Sequence, residues 1–147
     1  VFWLKRMMSF KDFIAYVVMQ VSGAIFGCVV ANIIFKLPPV TMSTLVRHDF
    51  SQFLSEILAT FGLILVIFIG SEVSKQNIPV LVGSYIASAY WFTSSTSFAN
   101  PAVTVARQFS DTFTGISPSG VPTFIIAQIF GAILGFVVIQ WLTNKVI

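Results

Sequence analysis

Charge is what this chain has least of. Acidic and basic residues together make up 9% of the sequence, against about 25% in an ordinary water-soluble domain. Such a chain cannot cover a water-facing surface with hydrated groups. It also holds a single cysteine, Cys28, and a single histidine, His48. One thiol excludes a disulfide framework. One His and one Cys provide neither a nucleophile–base pair nor a metal set, so no enzyme, metal or cofactor is expected. The net charge of +3 is small and scattered through short connections, which argues against a nucleic-acid partner. Phe2 to Phe10 is too short an apolar run for a secretory leader and contains Lys5 and Arg6.

What the chain does have is uncharged length. Phe13 to Phe35 carries no charge, Phe53 to Gly70 is interrupted only by Glu56, and Val121 to Leu142 is again uncharged. About 20 apolar residues cross a bilayer core of about 30 Å. A fourth, shorter run, Ile78 to Phe92, continues into a serine-threonine stretch. The class is therefore an all-α, multi-pass membrane protein. Counting Lys and Arg, five (Lys5, Arg6, Lys11, Lys75, Lys145) against three (Lys36, Arg47, Arg107) favours a cytoplasmic N-terminus. Pro38-Pro39 closes the first run, because proline lacks the donor a helix needs. Cys28, between Gly27 and Val29, reads as a small packing residue. His48 reads as a solvated loop residue, and Trp3, Trp91 and Trp141 as interfacial anchors.

Part of the sequence repeats itself. Gln20, Gly23, Ala24, Ile25 and Gly27 recur as Gln128, Gly131, Ala132, Ile133 and Gly135, each 108 positions later (128 minus 20). Glycines four apart leave a flat groove on one helix face, where two helices can approach closely in lipid. With the orientation above, the two copies run in opposite directions, the mark of an inverted repeat. The same offset places the counterpart of Asn100-Pro101 ahead of Val1. The expectation is a back portion of a longer protein.

The stretch TSSTSFANPAVTVARQF, Thr93 to Phe109, is rich in hydroxyls and carries Asn100-Pro101 inside membrane-grade sequence. Asparagine is among the best helix caps, and proline suits the first helical position because its missing donor would be unpaired anyway. A helix over Pro101 to Phe109 would be about 13 Å long, half a bilayer. An extended Thr93 to Ala99 must then lead to its start. Irregular backbone at that depth is tolerated only where it is buried in protein or lines a watery cavity. The wall carbonyls of Thr93 to Ala99, among them those of Thr96, Phe98 and Ala99, become acceptors. The helix end and the Asn100 amide present positive charge to the middle of the membrane. That arrangement suits the oxygen of a neutral polar molecule and opposes cations. Glu56 is the only acid deep in a span, where a charge costs at least about 2.5 kcal/mol on insertion scales, so a task is expected of it.

These residues carry a resemblance. Asn100-Pro101-Ala102 after a serine-threonine segment resembles the second signature loop of the aquaporin, or major intrinsic protein, family. SEILATFGLILV, with Glu56, is similar to that family's fourth span, AQIFGAILG to its sixth and MQVSGAIFG to its third. The resemblance implies an aquaporin-like right-handed bundle with a re-entrant half-helix, and a homotetramer when full length. It assigns 1–10 to the end of a first half-helix and its connection, 11–35 to span three and 52–71 to span four. Span five follows at 78–93, the re-entrant loop and half-helix at 94–110, and span six at 121–143. Spans one and two and the first signature motif have no counterpart here. The resemblance gives Glu56 the work of holding the re-entrant loop, and places filter positions at Ser88, Ser97 and Val103.

Val103 stands where the family usually has arginine. Three small filter residues imply a passage wider than that of a strict water channel. Arg107 shares the Val103 face one turn on. It is either a vestibule guard or a side chain snorkelling to water. The implied activity is passive movement of water or small uncharged solutes across a cell (inner or plasma) membrane. Glycerol or a neutral metalloid hydroxide such as arsenite is the alternative cargo. A truncated remnant, or a half-channel needing a partner, is the competing reading.

Overall fold

A computed structural model describes residues 8–146, with side chains to residue 143. The expected anchor Trp3, the charges Lys5 and Arg6, and most of the expected half-helix end at 1–10 lie outside the described residues, as does the Lys145 side chain. All regular structure among the described residues is helical: α1 (Phe10–Ile34), α2 (Phe50–Val73), α3 (Ile78–Phe92), α4 (Pro101–Arg107) and α5 (Val121–Val146). Three of them, α1, α2 and α5, are long and apolar enough to cross a membrane. The chain divides into two compact units. One joins the chain up to His48 to Asn100–Ile125; the other joins Asp49–Ala99 to the chain from Ile126 onward.

In the first unit, α1 starts at a Ser9 cap. The Ser9 hydroxyl accepts from the Asp12 N–H at 3.1 Å and donates to the Asp12 carboxylate at 2.7 Å. The helix stops ahead of the two prolines, not at them. Lys36 takes a left-handed φ of 59°, its N–H bonds to the Ile33 carbonyl, and the Leu37 N–H reaches back to Asn32. That pair of bonds closes the helix by itself, and Pro38-Pro39 only keep it from resuming. Asn32 is the one buried residue of α1; Met19, Phe26 and Phe35 stand exposed. A helix apolar on nearly every face and mostly uncovered suits hydrocarbon, not water.

The second unit is built on α2. Tyr85 from α3 donates its hydroxyl to the Ala59 carbonyl at 2.9 Å, and its ring lies where a Cβ on Gly62 would stand. The helix α5 also packs on α2. A Cβ on Gly131 would run into the Ile57 carbonyl, and one on Gly135 would press on the Ile64 side chain. The second copy of the glycine repeat is thus a close helix–helix contact. Its first copy, Gly23 and Gly27, has nothing within 4 Å of the missing Cβ positions. Gly131→Ala is therefore expected to destabilise this chain by about 1–3 kcal/mol through overpacking. Gly23→Ala should stay within about 0.5 kcal/mol. Thermal unfolding midpoints of the two variants in the same detergent check the contrast.

Candidate functional site

The segment between α3 and α4 is where the chain abandons regular hydrogen bonding. Thr93 ends α3: both its N–H (3.1 Å) and its hydroxyl (2.6 Å) are bound to the Ala89 carbonyl. Three residues without glycine's freedom then take left-handed backbone, Thr96 (φ 61°), Ser97 (49°) and Ala99 (50°). Each such residue costs roughly 1–2 kcal/mol, so the segment needs something to hold it.

Glu56, fully buried on α2, is that something. Its Oε1 accepts from the Ser95 hydroxyl at 2.7 Å and the Phe98 N–H at 2.8 Å. Its Oε2 accepts from the Ala99 N–H at 2.9 Å and from Gln128 Nε2 at 2.7 Å. Four donors on two oxygens satisfy a carboxylate in a place where an unpaired one would be ruinous. With those N–H groups turned toward Glu56, the carbonyls of Thr96, Ser97 and Ala99 accept nothing from the described residues. The hydroxyls of Thr96 and Ser97 are buried and also without a partner. Ser88 is exposed on α3 with its hydroxyl on the Ser84 carbonyl.

The first unit carries a second group of candidate residues. Asn100 is extended (φ −153°, ψ 122°), and its Oδ1 caps α4 by accepting from the Ala102 N–H at 2.8 Å. Its carbonyl takes both the N–H and the hydroxyl of Thr104, each at 3.0 Å. The Nδ2 end of the same amide donates to none of the described residues and keeps its two hydrogens. Pro101 occupies the first helical turn, Ala102 is buried, and Val103 is half-buried.

At seven residues, α4 is two shorter than the sequence predicts. The Phe109 N–H turns back to Ala106, and the Gln108 and Phe109 carbonyls are taken by the Ser43 (2.8 Å) and Thr41 (3.1 Å) N–H groups. Val103, Ala106 and Arg107 face Ala24, Gly27, Cys28 and Ala31 of α1 across a cavity of about 230 Å³. Arg107 is half-buried at its edge and donates to the Thr114 hydroxyl at 2.6 Å.

Sequence reading missed Asn32, Arg47, Ser95 and Gln128. Arg47, counted there as a loop charge, is buried, 3% exposed, and donates from Nε to the Gly115 carbonyl at 2.7 Å and from Nη2 to the Phe113 carbonyl at 2.6 Å. The expectation fails because a guanidinium can satisfy carbonyls of a loop 66 to 68 residues away, which local sequence does not reveal. A lysine offers one point donor in place of a planar fork. Arg47→Lys is expected to cost about 2 kcal/mol, the loss of one charge-assisted bond, as a fall in the denaturation midpoint. Gln128 did give a signal, a polar residue recurring inside the glycine repeat. His48 is exposed, as are Trp91 and Trp141. No three His, Cys, Asp or Glu side chains converge among the described residues.

Comparison with known proteins bears on both units. The family model described as Major intrinsic protein matches residues 1–94, more than half of the chain. Aquaglyceroporin AqpS of Rhizobium meliloti (strain 1021) is 48% identical over 142 residues, covering 97% of this chain. Those residues span 61% of that relative's length. No solved structure matches.

Proposed function

We propose, starting from the fact that this chain belongs to the major intrinsic protein family, that it forms part of a passive channel for small uncharged molecules. The chain is a multi-pass membrane protein with three span-length apolar helices. The observation that carries the proposal is the state of Asn100. Its oxygen is consumed in capping α4, and its Nδ2 donors are left over. Around a helix tip these donors favour an oxygen of a neutral solute and repel cations. The free carbonyls of Thr96, Ser97 and Ala99 are acceptors for a solute that has shed its water. Glu56 acts by holding that backbone, and no bond of the solute is made or broken, so the protein is not an enzyme.

Within that reading, Ser88, Ser97 and Val103 are small filter residues, and the cargo extends beyond water to glycerol-sized polyols or a neutral metalloid hydroxide. The relative named an aquaglyceroporin fits the wider cargo. Arg107, one turn beyond Val103, guards the vestibule. The working form is a homotetramer in the plasma membrane. Stopped-flow light scattering from reconstituted vesicles tests this. Water, glycerol and arsenite should each cross faster than through bare lipid. Rates equal to bare lipid for all three would instead make the chain a non-conducting remnant or a half that requires a partner.

A further inference from the structure

A helix of seven residues has no stability of its own, since most of its backbone groups are terminal and nucleation is unfavourable. Its position is therefore set by whatever grips its ends. Asn100 of α4 itself grips one end. The other is held by the Thr41 and Ser43 N–H groups and, from α1, by Asn32. Asn32, 4% exposed, donates from Nδ2 to the Phe109 carbonyl and to the Pro39 carbonyl, both at 3.1 Å. Its Oδ1 accepts from the buried Ser110 hydroxyl at 2.7 Å. Both ends of the amide are used, and they join three segments: the last turns of α1, the strap over 39–43, and the exit from α4. An amide within an apolar helix is unfavourable unless each polar atom is matched, and a leucine would fill the same space. What the amide adds is a fixed distance.

We propose that Asn32 is a positioning residue for α4. It sets where Val103 and Arg107 stand over the Ala24–Ala31 face of α1, and through them the size of solute admitted. The consequence for solute rests on the channel reading above; the positional claim does not. Cys28, half-buried and lining the cavity opposite Val103, Ala106 and Arg107, is a built-in reporter.

The experiment uses the full chain in proteoliposomes, with Asn32→Ala, Asn32→Asp and Ser110→Ala at equal incorporation. The first readout is the rate of Cys28 modification by methyl methanethiosulfonate, followed by mass spectrometry. The second is the ratio of glycerol to water permeability. Asn32→Ala and Asn32→Asp are expected to change both by about threefold or more, because displacements near 1 Å in a supporting residue move a site out of register. Asn32→Asp keeps the Ser110 bond but loses both donors, so it should resemble Asn32→Ala. Ser110→Ala should give a smaller shift in the same direction.

A merely structural role would lower the yield or scale all fluxes together, leaving the ratio and the Cys28 rate alone. Unchanged rate and ratio in the Asn32 variants would overturn the proposal. So would Asn32 variants that fail to accumulate beside a Ser110→Ala chain identical to wild type. If the wild-type chain conducts no faster than bare lipid, the channel reading falls, and the Cys28 rate alone decides on Asn32.

Discussion

Glu56→Leu is expected to reduce solute flux to that of bare lipid and to lower the unfolding midpoint sharply. The change strips an acceptor from four buried donors at once: the Ser95 hydroxyl, the Phe98 and Ala99 N–H groups and Gln128 Nε2. Each buried donor left unmatched costs about 1–3 kcal/mol, and three left-handed residues lose the contact that holds them. Glu56→Gln separates charge from geometry. Its amide keeps one oxygen but sets an NH₂ group against two donors. On the Ser95 side the hydroxyl can rotate to accept, yet the Phe98 N–H stays unmatched. On the other side the Ala99 N–H does. Either way at least one backbone N–H is stranded, so a fall of about tenfold or more in flux is expected, equivalent to about 1.4 kcal/mol. Stopped-flow flux at equal protein, paired with thermal unfolding in detergent, measures both. Wild-type flux in Glu56→Leu would remove the loop-holding role.

Val103→Arg should act on size selection. The side chain enters the cavity of about 230 Å³ opposite Ala24, Gly27, Cys28 and Ala31, where Arg107 already stands one turn away. Two guanidiniums four residues apart on one helix face repel each other, so the new one is pushed off the line of Arg107 and across the opening. Glycerol permeability is expected to fall about tenfold or more, an added barrier of about 1.4 kcal/mol, and water permeability much less. The glycerol-to-water ratio in one vesicle preparation is the measurement. A ratio equal to wild type would show that Val103 does not set the width.

How legible all this was depended on how far each effect reaches along the chain. The cap of α4 is made by Asn100 on a residue two positions away, and propensity alone anticipates it. Long apolar runs likewise announce α1, α2 and α5, because lipid demands length and apolarity within one segment. The end of α4 was misplaced because the Phe109 N–H turns back to Ala106 while Ser43 and Thr41, more than 60 residues earlier, hold the Gln108 and Phe109 carbonyls. Arg47 and Asn32 were opaque for the same reason, their partners lying 66 to 78 residues away apart from Pro39. The left-handed turns at Thr96, Ser97 and Ala99 had no glycine to advertise them. They follow from a carboxylate that collects N–H groups, and residue type at those positions carries no trace of it.

Glu56 also has an implication for how the protein is made. Its donors are synthesised late: Ser95 is 39 residues downstream and Gln128 is 72. When α2 is synthesised none of these partners has yet been made, and the last, Gln128, comes only with α5. Correct assembly therefore cannot be completed hairpin by hairpin. The Glu56 carboxylate is fully matched only once α5 is in place.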